Sequence, residues 1–181
     1  MSAEKERKRK NKIKVYIDTN VFQGALSRRN KQDIVLLNKL KEKKVSCCTS
    51  IFTILELLDI AKDREFLLKL IKDRWVDVST FLKRRKEKDL SKEELQSVAD
   101  KINNLFLEYK FVEIINIKET DWGLVKKYCE MANLHSSDII HLVTAWVGRC
   151  QYLITHDNQL VKEGNRILEE EKVVDKMKVV L

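Results

Sequence analysis

Four carboxylates in this chain stand at positions where they could do chemistry together. Asp18 and Asp157 each come after a short apolar, β-favouring run, Glu56 is the only charge in the apolar stretch I-L-E-L-L, and Asp138 follows two serines. If the fold gathers them, these groups repel one another, and a divalent cation relieves that repulsion. Ligation by oxygen alone selects Mg²⁺ or Mn²⁺ over zinc. The pattern therefore predicts a site for one of these two cations.

Apolar, β-favouring runs alternate with helical patterns along the chain. This alternation predicts an α/β fold with a mostly parallel sheet and helices on both faces. Right-handed crossovers put the carboxyl ends of parallel strands on one edge, where ligands bind in open α/β sheets. Asp18 and Asp157 should therefore approach each other if their strands are neighbours. The predicted strands are 15–17, 45–49, 111–117, 152–155 and 178–181.

The helical patterns predict where the other two carboxylates lie. Ser50 is predicted to cap a helix that carries Glu56. Ser136 or Ser137 is predicted to cap a helix with Asp138 in its first turn, where the helix dipole favours an anion. Each of these acids alone also fits an ordinary exposed residue, so only the set of four indicates a site. The predicted core face of the Glu56 helix is Ile51, Ile54, Leu55 and Leu58, and further helices are predicted over 26–44, 120–131 and 159–171.

Residues 63–110 contain neither proline nor glycine and are predicted to form a helical hairpin. Ser91, followed three residues later by Glu94, matches a capping box, so the second helix of the hairpin should begin at Lys92. Apolar residues recur at helical spacing on both arms, which favours packing stripes over a cofactor site. The hairpin is predicted to shape a groove or to form an interface.

Composition predicts one domain over residues 13–181, preceded by a disordered basic arm over residues 1–12. The chain has 181 residues, is 44% hydrophobic and carries a net charge of +8. The arm either raises nonspecific affinity for RNA or DNA, or serves as a solubilising tail. No uncharged apolar run reaches the roughly 18 residues of a membrane span, so a cytoplasmic protein without membrane contact is predicted. The four cysteines lack C-x-x-C spacing, which favours reduced, mostly buried thiols over disulfides or a zinc site.

The segments around the four acids resemble the PIN domain family, including its VapC-type toxins. In chain order they are V-Y-I-D-T-N-V-F, T-I-L-E-L-L, S-S-D-I-I-H-L and L-I-T-H-D-N, and the resemblance covers about residues 13–181. It implies a PIN-like three-layer α/β sandwich with a mostly parallel central sheet, to which the helical hairpin is an insertion. Asn20 and Thr155 match polar residues of the family that support the ligands. The acids that match its catalytic, metal-binding quartet are Asp18, Glu56, Asp138 and Asp157.

The resemblance also implies an activity. It points to a Mg²⁺- or Mn²⁺-dependent endoribonuclease that hydrolyses RNA phosphodiester bonds, leaves 5′-phosphate and 3′-hydroxyl ends, and often acts as a homodimer. The VapC-type members further imply a toxin with a cognate antitoxin protein. Arg28, Arg29 and Lys31 follow the first acid closely and are candidate RNA contacts, although basic residues on a solvated helix explain them equally well.

Other interpretations remain open. One alternative is a noncatalytic RNA-binding or assembly module, and another is a nuclease that matures ribosomal RNA or acts on DNA. His141 lies three residues after Asp138 on a helix, so it either serves as an acid/base partner or packs in the core. His156 is predicted to point away from the metal edge. A Ser-His-Asp hydrolase is excluded because no nucleophile elbow surrounds Ser137.

Overall fold

The computed structural model describes residues 13–27, 30–72, 89–173 and 176–181, together with residues 77, 79 and 82. Strands and helices alternate along the chain, as the hydrophobic pattern predicts. The strands are β1 Lys14–Ile17, β2 Ser46–Ser50, β3 Val112–Ile115, β4 Tyr152–Ile154 and β5 Lys178–Val180. The helices are α1 Thr19–Ser27, α2 Lys31–Glu42, α3 Ile51–Lys72, α4 Lys92–Glu108, α5 Trp122–Met131, α6 Ser136–Val147 and α7 Asn158–Glu170, with a 3₁₀ turn at Glu119–Asp121.

The five strands form one sheet in the order β3-β2-β1-β4-β5, and every neighbouring pair is parallel. This arrangement confirms the predicted α/β fold and its parallel sheet. β1 and β4 are neighbours, with Tyr16 opposite Leu153 and Ile17 opposite Ile154. Pairing extends one residue further, because the Asp18 amide donates to the Ile154 carbonyl at 3.0 Å. The strand ends that carry Asp18 and Asp157 therefore lie side by side.

Both faces of the sheet are covered. One register row across four strands consists of Cys48, Tyr16, Leu153 and Val179. These residues are buried in a core that they share with α5, α6 and α7. Successive residues of a strand point to opposite faces. Ile17, next to Tyr16, is also fully buried, so the opposite face is covered as well. Two helical layers around a central sheet make the predicted three-layer sandwich.

The chain divides into two compact units. The first comprises the chain up to Thr53 together with Tyr109–Leu181, and it contains the sheet. The second is Ile54–Glu108, which holds α4 and all but the first residues of α3. The basic arm over residues 1–12 lies outside the described residues, and the single domain over 13–181 stays a prediction.

The second unit contains the two helices of the predicted hairpin. They run antiparallel: Lys69 of α3 pairs with Glu94 near the start of α4, whereas Glu65, one turn earlier in α3, pairs with Lys101, about two turns later in α4. Most of the connection between α3 and α4 lies outside the described residues. Within the part of the chain that is described, no helix is both long and apolar enough to cross a membrane. The buried apolar side chains of these helices include Phe66, Leu70, Val98, Ile102 and Leu105.

Two predicted helix boundaries are wrong. The helix predicted over 26–44 is two helices, because Asn30 caps α2 through a hydrogen bond from the Gln32 amide. The Glu56 helix and the first arm of the hairpin are one continuous α3, since neither proline nor glycine interrupts this stretch. The predicted core face of α3 is also wrong in part. Ile51 and Leu55 are exposed and Leu57 is buried, because an apolar stretch as continuous as I-L-E-L-L does not define one helical face.

The capping box at the start of α4 is confirmed. The Glu94 amide donates to Ser91 Oγ at 3.2 Å, and the Ser91 amide donates to Glu94 Oε2 at 2.6 Å. We expect Ser91→Ala to reduce the free energy of unfolding of the helical hairpin by about 1 kcal/mol, because the Glu94 amide loses its capping partner. Urea unfolding followed by circular dichroism measures this change. Ser97→Ala in the exposed middle of α4 is the control and should be neutral or slightly stabilising. Equal stability of both variants contradicts the prediction.

Candidate active site at the carboxyl edge of the sheet

One buried hydroxyl connects three of the residues that the sequence places at this edge. Thr155 Oγ1 donates a hydrogen bond of 2.6 Å to Asp18 Oδ2. The same oxygen accepts hydrogen bonds from Asn20 Nδ2 at 2.9 Å and from the Asp157 amide at 3.0 Å. Thr155 is fully buried, and Asp18 is only 5% exposed. The structure therefore brings Asp18, Asn20, Thr155 and Asp157 together around one atom.

The backbone holds both of these aspartates at the starts of helices. Asp18 directly follows β1, and its Oδ1 accepts a hydrogen bond of 2.7 Å from the amide of Thr19, the first residue of α1. Asp157 is the N-cap of α7, and its Oδ1 accepts from the amides of Gln159 and Leu160. A carboxylate at the positive end of a helix dipole is stabilised as an anion. Each strand thus delivers its aspartate in a fixed orientation.

Asp138 lies in the first turn of α6, as predicted, but the predicted serine cap is wrong. His135 is the N-cap: its ring nitrogen accepts a hydrogen bond from the Ser137 amide. Burial raises the pKa of Asp138 above its usual value, and the carboxylates of Asp157 and Asp18 raise it further. The carboxylates of Asp157 and Asp18 are therefore close enough to act on Asp138. This effect is the clearest sign that the edge concentrates negative charge.

His141 is a buried residue next to Asp18. Its Nδ1 shares a hydrogen bond of 2.7 Å with the Tyr16 hydroxyl, and both side chains are buried. Its Nε2 lies 3.4 Å from Thr19 Oγ1 and 3.7 Å from Asp18 Oδ1. Burial raises the pKa of Tyr16 strongly, so the phenol stays neutral. His141 is thus a packed residue of the core whose Nε2 faces Asp18.

Sequence reasoning missed one contact of the site. His156 Nε2 lies 2.6 Å from Oδ1 of Asp33, which is only 1% exposed and sits in the first turn of α2. The His156 amide also donates to Asn20 Oδ1 at 3.0 Å. The turn between Thr155 and Asp157 is therefore held from two sides. An aspartate in a first helical turn has a sufficient local explanation in the helix dipole, so nothing in the sequence indicated that Asp33 was buried.

The structure says less about the other predicted site residues, which are Glu56, Arg28, Arg29 and Lys31. Glu56 lies in the second turn of α3, is partly buried and belongs to the second unit. Its place in an acidic quartet therefore stays a prediction. Lys31 is exposed as the first residue of α2. Arg28 and Arg29 lie outside the described residues.

The donor chemistry of the edge fits a hard divalent cation. Asp18, Asp138 and Asp157 offer only carboxylate oxygens, and each oxygen of Asp18 keeps a lone pair beyond the hydrogen bond it accepts. A cation would also relieve the repulsion that raises the pKa of Asp138. Within the described ranges, however, no three acidic, histidine or cysteine side chains are grouped as a metal site requires. Metal binding at this edge therefore stays a prediction.

The fold and this edge define a three-layer α/β protein with aspartates after two neighbouring strands of its sheet, β1 and β4. The model of the PIN domain family matches residues 15–164, most of the chain. The chain belongs to the PIN domain family. Members of this family are generally nucleases and commonly bind divalent metals. A comparison with curated proteins gave no match.

The shared hydroxyl makes Thr155→Val an informative substitution. We expect it to lower the free energy of unfolding by about 1–3 kcal/mol, because the nearly isosteric valine leaves Asp18 Oδ2 and the Asn20 amide buried without their partner. Urea unfolding of the metal-free protein measures the loss. Thr155→Ser restores the hydroxyl and should recover most of the stability. If the valine and serine variants are equally stable, the Thr155 hydroxyl does not form these hydrogen bonds.

Proposed function

We propose that this protein is a metal-dependent endoribonuclease that hydrolyses RNA phosphodiester bonds. The observation that carries the proposal is that Thr155 joins Asp18 and Asp157 at the edge where α/β proteins bind their ligands. Burial and these two carboxylates also raise the pKa of Asp138, which is partly buried. Such a concentration of carboxylates has a clear use in holding Mg²⁺ or Mn²⁺. Membership of a family composed generally of nucleases supports the same activity.

Each residue of the edge has a role in this proposal. Asp18 and Asp138 are the principal metal ligands, and Asp157 completes the set with the oxygen that is not engaged in its helix cap. When bound, the cation lowers the pKa of a water molecule for in-line attack and stabilises the departing oxygen. Thr155 fixes the direction of the Asp18 carboxylate through their hydrogen bond of 2.6 Å. Asn20 supports Thr155, so a ligand is aligned before the substrate arrives.

Glu56 is proposed as the fourth acid on sequence grounds. It follows β2 by one and a half helical turns, and it is the only charge in its apolar stretch. A charge in such a setting calls for a partner, solvent or a cation. Glu56→Gln should therefore weaken metal binding if the quartet is complete.

RNA recognition is proposed to rest on basic side chains. Lys31, exposed at the start of α2, is the described candidate, and Arg28, Arg29 and the arm over residues 1–12 are further candidates from the sequence. Phosphate contacts by such residues release counterions, so RNA affinity should fall steeply with salt. Binding measured from low to physiological salt tests this electrostatic contribution.

Two narrower proposals concern partners. The first is that the protein is the toxin of a toxin–antitoxin pair, in which case its expression arrests growth and coexpression of a neighbouring small reading frame restores it. The second is that it acts as a homodimer, which sedimentation analysis of the full chain decides. Growth without arrest, or a monomer at all concentrations, would remove the corresponding proposal and leave the nuclease proposal intact.

The nuclease proposal is tested with a pool of labelled RNAs, structured and unstructured, and a matched DNA pool. The full chain is incubated with each pool in Mg²⁺, in Mn²⁺ and in EDTA. Cleavage of RNA with either metal, absent with EDTA, is the expected result, and the cut positions begin to define the substrate. RNA binding without cleavage favours the noncatalytic binding module instead. Cleavage confined to DNA overturns the ribonuclease assignment, whereas selective cleavage of ribosomal RNA precursors favours a maturation nuclease.

A further inference from the structure

Two cysteines far apart in sequence meet inside the first unit. Cys48 lies in the middle of β2, and Cys150 lies in the turn that joins α6 to β4. Their Sγ atoms are 3.2 Å apart, and their positions differ by 102 in sequence. A disulfide bond is about 2.05 Å long, so the sulfurs need to approach by only about 1.2 Å. This separation is within reach of small side-chain and backbone adjustments.

The surroundings favour a reactive sulfur at Cys48. The hydrogen bond with the Cys150 thiol lowers the pKa of Cys48, burial opposes this change, and the Lys14 ammonium lowers the pKa further. Glu113 pairs with that ammonium at 3.1 Å, and its own charge raises the pKa of Cys48. Thiolates rather than thiols are the nucleophiles in disulfide chemistry. With the two sulfurs only 3.2 Å apart, either can attack the other once one of them is activated, and the lowered pKa of Cys48 makes it the sulfur that we assign to the first step.

The other two cysteines provide an internal contrast. Cys47 is buried and adjacent to Cys48, so its side chain points to the opposite face of the sheet, and burial raises its pKa to about 12. Cys129 is exposed on α5. Among the described residues, the hydrogen-bonded pair of thiols is the one between Cys48 and Cys150.

Access to the buried pair comes from the turn. Cys150 lies between Arg149 and Gln151, which are both exposed, and Arg149 has a left-handed backbone with φ of 57°. Exposed turns open locally at a lower free energy than the strands they connect. Opening of this turn would break the hydrogen bond of 3.0 Å from the Cys150 amide to the Ala145 carbonyl, and it would present Cys150 and uncover Cys48.

We propose that Cys48 and Cys150 form a reversible intramolecular disulfide when the protein meets a peroxide. The Cys48 thiolate attacks the O–O bond of hydrogen peroxide and becomes a sulfenic acid, and the second oxygen leaves as water after protonation. The Cys150 sulfur then attacks the Cys48 sulfur, the S–S bond forms, and a second water leaves. In total two thiols lose two protons and two electrons to one peroxide, which yields two waters.

This bond would tie β2 to the turn before β4. Because the closed loop is long, the crosslink removes much of the conformational freedom of the unfolded chain. The oxidised protein should therefore melt at a higher temperature than the reduced protein, and a dithiol reductant should reverse the difference. Neither sulfur belongs to the acidic edge, so the inference is independent of the proposed nuclease activity.

The test counts thiols in the full chain before and after treatment with a small excess of hydrogen peroxide. The protein is then unfolded in guanidinium and titrated, and the thiol count should fall from four to two as the melting temperature rises. Because Cys47 and Cys48 share one tryptic peptide, the crosslink is mapped by mass spectrometry in Cys47→Ser, which should retain it. Cys129→Ser is a second control that should retain it as well.

Cys150→Ser should abolish both the crosslink and the reversible rise in melting temperature. If this variant folds poorly, the peptide map of Cys47→Ser still decides the question. Four thiols that persist after peroxide treatment, or a crosslink that involves Cys129, would overturn the proposal. Loss of thiols that a dithiol reductant does not reverse would also overturn it, because it indicates overoxidation instead of a disulfide.

Discussion

Asp138→Asn is expected to reduce metal-dependent RNA cleavage by about 100-fold or more, a loss comparable to removal of one principal electrostatic group from an active site. The substitution keeps the size of the side chain and removes only its charge. Asparagine is a much weaker ligand for Mg²⁺ than a carboxylate. The cation that activates water would then be held loosely or misplaced. Single-turnover cleavage of the preferred RNA in saturating metal measures the loss.

The same substitution should stabilise the metal-free protein at neutral pH. In the folded protein, burial and the charges of Asp157 and Asp18 raise the pKa of Asp138. Because the pKa of Asp138 is higher in the folded than in the unfolded protein, protonated Asp138 stabilises the fold fully at a pH below the unfolded pKa. This stabilisation is lost as the pH rises through the folded pKa. At neutral pH the ionised Asp138 therefore works against folding. The asparagine side chain carries no charge, so the thermal midpoint of the variant should be higher and should lack this part of the pH dependence.

Opposite effects on activity and stability separate a catalytic role from a structural one. Thermal midpoints are compared from pH 4 to pH 8 without metal, and again with added Mg²⁺. Mg²⁺ should raise the midpoint of the wild type by mass action and should have little effect on the variant. Glu130→Gln, an exposed acid on α5, is the matched control and should leave activity and metal response unchanged. A variant that cleaves as fast as the wild type would remove Asp138 from the mechanism.

The strand ends of the site were predictable because their signal is local. An apolar β-favouring run followed by an aspartate places that aspartate at a strand end, and parallel connections place both ends on one edge. That Asp18 and Asp157 are actually neighbours depends on the order of β1 and β4, which no local pattern determines. The hydrogen bonds of the Thr155 hydroxyl could be expected only from the resemblance, because a single threonine before an aspartate produces no recognisable sequence pattern.

The parts of the site that escaped prediction depend on long-range contacts. Asp33 and His156 are 123 residues apart in sequence, and the buried Asp33 carboxylate pairs with the ring of the exposed His156 in the turn before α7. His135 takes the cap of α6 from Ser136 because the backbone enters the helix one residue earlier than the serines suggest. At both positions a local sequence rule predicts one arrangement, and the packing of the surrounding residues determines another.

Gly24→Ala is expected to destabilise the protein by about 2–4 kcal/mol, although alanine favours a helix. Gly24 lies inside α1, where the gain in helix propensity is about 1 kcal/mol. An added Cβ would stand 1.7 Å from Asp33 Oδ2 and 2.8 Å from Asp33 Cγ. Atoms cannot approach so closely, so the carboxylate of Asp33 must move.

Moving the Asp33 carboxylate costs free energy because its surroundings hold it in place. Its side chain is buried, and its Oδ1 pairs with His156 Nε2 at 2.6 Å. Overpacking a core typically costs about 1–3 kcal/mol, and losing a hydrogen bond to a charged group costs about 1.5–3 kcal/mol. Together these losses exceed the propensity gain. The displaced His156 would also loosen the turn that carries Asp157, so metal affinity should fall along with stability.

Two comparisons isolate the clash from the change in helix propensity. In Gly123→Ala on α5, no atom of the described residues lies within 4 Å of the added Cβ, so this control should be neutral or slightly stabilising. In an Asp33→Ala background the carboxylate is gone, and Gly24→Ala should then cost little or even stabilise. A double-mutant cycle in urea therefore yields a large coupling energy between the two positions. Additive effects would show that Gly24 does not make room for Asp33 and that another contact holds the start of α2 against the site.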